Sequence, residues 1–322
     1  MSIQFSEAFI RLVKAVTKTS SPEEFCGHVT RFCPQHALLE VDVEKHCCSN
    51  CSGMEKKALF VGLLSAAVFL GISSMVFVLV WVFHFREGLG MYGRARFNWH
   101  PLLMVIGFVV LQGAAIIVYR LPWTWRYSKQ VMKFVHAGLN ILAFILVVVS
   151  LAAVFDFHNV AKFPNMYSLH SWVGLIAVIF YCLQLVLGIY FYLIPTTPVS
   201  WREAYKPIHA FSGLLLFGSV VAVSLMGITE KLIFGLDTPK YKDSPPEATF
   251  VNVLGLLLVV FGAVILWIAT QRSWKRPTEQ TQHILQSQVE GYDSTRVMPS
   301  LSQLSEDAGG DTRRRKLEDP ED

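Results

Sequence analysis

Six uncharged, strongly apolar runs dominate this sequence, at residues 58–83, 101–119, 137–155, 171–194, 207–229 and 248–271. A helix needs about 20 such residues to cross a hydrocarbon core, whereas a barrel strand would alternate apolar and polar positions. The runs predict an all-α membrane protein with six transmembrane helices. Charge placement agrees: of 52 charged residues in 322, only 20 fall between residues 58 and 271. A charged fraction of 16% argues against an ordinary soluble enzyme, for which about a quarter is usual. A net charge of +4 with no basic stripe argues against nucleic acid as a partner.

Three regions follow. Residues 1–57 form a Cys- and His-containing extension expected to be flexible, 58–271 the six-helix membrane domain, and 272–322 a polar tail, with a basic run at 313–316, too poor in apolar residues to fold. The extension has no short apolar core followed by a small-residue cleavage site, so span one is expected to act as its own signal anchor. Six spans place both termini on one side. That side carries eleven Lys and Arg near the span ends, including Lys56, Lys57, Arg120, Lys129, Lys133 and Arg202, against seven opposite, so both termini are expected in the cytosol.

Five cysteines, Cys26, Cys33, Cys47, Cys48 and Cys51, crowd the extension beside His28, His36 and His46. Their spacing matches no standard zinc finger, and the cytosol disfavours disulfides. Zinc binding, palmitoylation of the juxtamembrane Cys47, Cys48 and Cys51, and no special role all stay open. Cys182, inside span four, reads as a packing residue. The glycines Gly88, Gly90 and Gly93 match the spacing of a dinucleotide fingerprint but link two membrane helices, where no βαβ unit can form. Asn50-Cys51-Ser52 has the form of a glycosylation acceptor on the cytosolic side, which makes it a topology test.

Histidines inside spans are expensive and rarely face lipid. His100, His136, His170 and His209 stand near the N-terminal ends of spans two to five. Consecutive spans run in opposite directions, so His100 and His170 fall near the outer surface while His136 and His209 fall near the cytosolic one. Two neutral imidazoles from facing helices can hold a haem iron from both sides, an arrangement without an open coordination position that suits electron transfer. Spans two to five thus read as a four-helix bundle holding two haems, with irons expected roughly 15 to 20 Å apart along the membrane normal. Gly174 and Gly213 follow His170 and His209 by four residues and share their helix faces, where they leave room for a flat macrocycle or for close helix packing. A transporter with a proton relay is the competing class. It should show acidic residues within the six runs, and these have none.

The motifs Asn98-Trp99-His100-Pro101, Lys133-Phe134-Val135-His136-Ala137-Gly138, Tyr167-Ser168-Leu169-His170-Ser171-Trp172 and Lys206-Pro207-Ile208-His209 resemble the cytochrome b561 family, six-helix ascorbate-dependent transmembrane electron carriers. Tyr119-Arg120-Leu121-Pro122-Trp123-Thr124-Trp125 and the stretch at 227–234 are most similar to the ferric reductases within it. The resemblance spans about residues 57–277. It implies two haem b groups, one on His100 and His170 and one on His136 and His209, with ascorbate as cytosolic electron donor. The acceptor it implies is ferric iron, or else cupric ion or monodehydroascorbate. It further implies a homodimer and residence in the plasma membrane, apical in an epithelium.

By the same resemblance, Arg120, Lys129, Lys133 and Arg202 match basic positions around the ascorbate site, as an anionic donor requires. His158, Asn165 and Tyr167 match positions around the outer substrate site, with His158 and Glu247 as candidate ligands for an incoming metal ion. Related proteins begin close to span one, near Met54 of this sequence. Within redox chemistry the alternative is a monodehydroascorbate reductase that regenerates ascorbate. Outside it, the alternative is a haem-free metal transporter.

Overall fold

The computed structural model describes the backbone of residues 40–276 and side chains from Lys57 onward. Its six long helices are α1 (Glu40–Val80, continued by a π turn over Trp81–Phe85), α2 (Gly93–Arg120), α3 (Lys129–Ala161), α4 (Leu169–Tyr192), α5 (Val199–Gly235) and α6 (Pro246–Thr270). All six are long and apolar enough to cross a membrane. Among the described residues there is no strand. The cysteine side chains of the extension and the tail beyond residue 276 lie outside the described residues.

Local sequence sets the helix limits. Ser128 caps α3 by accepting from the Val131 amide, and Ser168 opens α4 in a reciprocal capping box with Ser171. Pro246 occupies the first turn of α6, where its missing N–H is harmless. Lys162 closes α3 in the left-handed conformation at φ 60°. α3 and α5 overrun the predicted spans 137–155 and 207–229 at both ends, because the helices continue past the apolar runs into charged turns. His158, beyond the end of the predicted span 137–155, therefore lies in the last turns of α3. Pro207, expected to open span five, lies inside α5.

α6 packs against α1, α5 and α2; α3 lies against α2 and α4, and α4 against α5. The α6 face is filled by Val251, Leu254, Leu258, Phe261, Ile265 and Ile268, all nearly inaccessible. α2 is the most enclosed helix and includes a π segment over Met104–Leu111. There Gly107 lets α2 approach α3 closely, since a β-carbon would sit 2.9 Å from that of Leu146. Apolar side chains such as Ile145, Val148, Phe180, Val186 and Leu215 remain exposed around α3 to α5, the surface a lipid phase accepts.

Candidate functional site

Helices α2 to α5 bring the four histidines together as two pairs. His100 on α2 faces His170 on α4 with ring centres 6.2 Å apart and planes inclined at 82°. His136 on α3 faces His209 on α5, again at 6.2 Å, with planes at 69°. An imidazole nitrogen binds a first-row transition metal at about 2.0 Å. Adding roughly 1.1 Å from nitrogen to ring centre on each side spaces two imidazoles that share one metal by about 6.2 Å, the separation found in both pairs.

The ring nitrogens are prepared for that role. Nδ1 of His136 lies 2.8 Å from the Ala115 carbonyl and Nδ1 of His170 lies 3.0 Å from that of Val223. A carbonyl only accepts, so both Nδ1 atoms carry the hydrogen and both Nε2 atoms keep the lone pair. The Ser150 hydroxyl donates to the His100 carbonyl at 3.2 Å and lies 3.0 Å from His100 Nδ1, from which it accepts. Such outer contacts fix the tautomer and orientation of a metal-binding histidine. His209 Nδ1 is buried without a hydrogen-bond partner; its ring packs among Tyr192, Tyr205 and the bare α-carbon of Gly188.

A cavity of about 920 Å³ surrounds the first pair, lined by His100 and His170, by apolar groups including Val105, Phe108, Leu175 and Leu258, and at its mouth by charged groups. An apolar slot between two facing imidazoles, with a polar mouth, fits a flat macrocycle bearing carboxylates. Gly227 makes this arrangement possible: a β-carbon there would lie 2.6 Å from His170 Cε1. Gly174 lines the same cavity, whereas a β-carbon at Gly213 would meet Gln184 on α4 at 3.3 Å. The pairs are stacked along the bundle. His136 binds the carbonyl of Ala115, fifteen residues along α2 from His100, which puts the two levels roughly 20 Å apart.

Of the basic residues expected around ascorbate, three gather at the His136 end. Lys133 lies within electrostatic reach of Arg202 and Lys129 and points its Nζ toward the Tyr192 carbonyl at 3.4 Å. Arg202 donates to the carbonyls of Ile194 and Pro195, both at 2.9 Å, which fixes the loop before α5. Arg120 is placed differently: its guanidinium donates to the Ala269 and Gln271 carbonyls at the C-terminal end of α6. There it satisfies carbonyls that the helix leaves unpaired.

At the opposite end, His158, Asn165 and Tyr167 line the cavity mouth together. His158 Nδ1 faces the Pro164 carbonyl at 3.3 Å, and Asn165 donates to Asn159 at 2.7 Å. Burial, and then the Glu230 carboxylate that hydrogen-bonds it, hold the Tyr167 phenol above its usual pKa. Glu247 is not with them. It is held below the mouth by Arg86 at 2.5 Å and by the Trp81 indole at 2.7 Å. Among the described residues, no three His, Cys, Asp or Glu side chains converge as a metal cage. Arg86, Arg94 and Lys231, which sequence reasoning did not single out, line the mouth, with the Lys231 ammonium 3.8 Å from the Phe97 ring centre.

Residues 99–235 match the family model described as eukaryotic cytochrome b561. The chain is 53% identical over 253 residues to the plasma membrane ascorbate-dependent reductase of Xenopus laevis, covering 78% of this chain and 89% of that protein. It is 59% identical over 227 residues to the reductase of the same name from Rattus norvegicus, covering 70% and 79%. Over 214 residues it is 44% identical to the lysosomal membrane ascorbate-dependent ferrireductase of Danio rerio, covering 65% and 87%.

Proposed function

The chain belongs to the cytochrome b561 family, and from that premise we propose that it is a transmembrane ascorbate-dependent ferric reductase carrying two haem b groups. The observation that carries this reading is the duplicated 6.2 Å histidine pair, one at each end of the bundle. Each histidine pair would hold one haem, which when bound would supply one-electron exchange. His136 and His209 would hold the cytosolic group, His100 and His170 the outer one.

The protein's own part is positioning, charge and exclusion of water. Lys129, Lys133 and Arg202 form a cationic approach to the cytosolic pair, which draws in the ascorbate anion. Ascorbate gives one electron to the His136/His209 site and one proton to water at the cytosolic surface, and leaves as monodehydroascorbate. At the outer end one electron converts ferric to ferrous iron beside His158, Asn165 and Tyr167, and brief contact suffices there. The name of the Danio rerio relative supports ferric iron as acceptor, while the frog and rat relatives support residence in the plasma membrane. Positive charge near the span ends supports cytosolic termini, and we extend the family resemblance to a homodimer.

The test is reduction across a sealed membrane. Haem-loaded protein in liposomes with ascorbate trapped inside is expected to reduce an impermeant ferric chelate outside, and to do so far more slowly without internal ascorbate. Passage of radioactive iron into the vesicles with no reduction outside would contradict the proposal and point to transport.

A further inference from the structure

Two polar side chains lie deep between the histidine pairs, where the proposed electron path gives them no assigned part. Tyr181 on α4 is 3% exposed, and its ring is wedged by Phe108 at 4.9 Å and Phe144 at 6.3 Å between centroids. Its hydroxyl donates to Asn140 Oδ1 at 2.8 Å and lies 3.1 Å from the Asn140 carbonyl. Asn140 in turn donates from Nδ2 to the His136 carbonyl at 2.8 Å, and the same amide nitrogen stands 3.4 Å from His136 Nε2.

That last contact marks the spot. Nδ1 of His136 is committed to Ala115, so Nε2 is the atom that faces a metal. The Asn140 amide therefore lies beside the position a metal on this pair must occupy. Tyr181 accounts for the amide's orientation, because a hydroxyl proton bonds the amide oxygen and turns the NH2 group toward His136. Among the described residues, no side-chain amide makes a corresponding contact with His100 or His170 ring nitrogens. The two sites are unequal in this respect.

We propose that Asn140, oriented by Tyr181, is a tuning residue that makes the His136/His209 site easier to reduce than it would otherwise be. An N–H dipole directed at the site favours the state with one more electron, and in a dry interior it acts unscreened. The effect falls on the haem that must accept electrons from the donor. Tyr181 acts through Asn140 and is a positioning residue.

This inference rests on the two-haem reading, and its test keeps the two apart. Full-length protein loaded with haem would be titrated spectroscopically, with His100→Ala and His209→Ala variants, each expected to keep one haem, assigning the two components. Asn140→Leu keeps the side chain's size and leaves Tyr181 the backbone carbonyl as acceptor. It is expected to make the His136/His209 haem harder to reduce by about tenfold in the reduced-to-oxidised donor ratio at half-reduction, the worth of one hydrogen bond. Tyr181→Phe should act in the same direction with a smaller shift, and the His100/His170 haem should be unmoved in both. Unchanged titrations in both variants, or equal shifts at both haems, would overturn the proposal. Fewer than two haems per chain in the unaltered protein would overturn the reading beneath it as well.

Discussion

Gly227 on α5 lies so close to His170 on α4 that a β-carbon would fall 2.6 Å from the imidazole Cε1. Gly188 stands in the same relation to His209, but at 3.2 Å. The first distance requires movement of the ring; the second is tight yet tolerable. Gly227→Ala is therefore expected to lose roughly half of the bound haem, whereas Gly188→Ala keeps nearly all of it, as the two sites respond to overpacking independently. Haem per chain by pyridine haemochrome checks this, and equal retention by the two variants would contradict it.

Much of the bundle was legible from apolar run length and from the placement of four histidines, because hydrocarbon thickness sets the length of a span and ligand chemistry the type of a single residue. Sidedness alone paired His100 with His170 and His136 with His209. What could not be read was which small or polar neighbour serves each ring. Gly227, Gly188, Ser150 and Ala115 lie on other helices, 21 to 57 residues away from the histidines they contact. Gly174 and Gly213 share a face with the ligand on its own helix, whereas the closest glycine approaches to imidazole come from facing helices. Arg120 and Glu247 show the same limit. Their residue types suited substrate or metal, but α6 carbonyls claim one and Arg86 with Trp81 the other.

Ser150 holds the tautomer of His100 from α3. Ser150→Ala should weaken haem binding at that pair by about tenfold, the lower end of what loss of an outer-shell partner does to metal sites. Haem transfer to apomyoglobin, followed at both sites, measures it: faster loss from one of two sites is expected, and unchanged rates would contradict the role.

Arg120 and Lys133 should separate cleanly. Lys133→Ala is expected to raise the KM for ascorbate several-fold with little change in melting temperature. Arg120→Ala leaves two helix-end carbonyls unmatched and should cost about 1–3 kcal/mol of stability, with KM nearly unchanged in the folded fraction. Steady-state kinetics and thermal melting in detergent check both.

Glu247 has a structural assignment that the ligand hypothesis lacks. Glu247→Gln breaks the partly buried pair with Arg86 and should destabilise the protein by about 3 kcal/mol, as removal of one buried partner does. His158→Ala should instead slow reduction of ferric chelate while leaving the melting temperature in place. A stable Glu247→Gln protein with selectively impaired metal reduction would reverse the assignment.

The most direct test of the whole account is the number of haems. Purified, folded protein expressed with haem available should bind two b haems per chain, both low-spin and both reduced by ascorbate, and His100→Ala or His209→Ala should each remove one. A single haem, or none, in folded protein would contradict the reading of the two 6.2 Å histidine pairs as a transmembrane electron path.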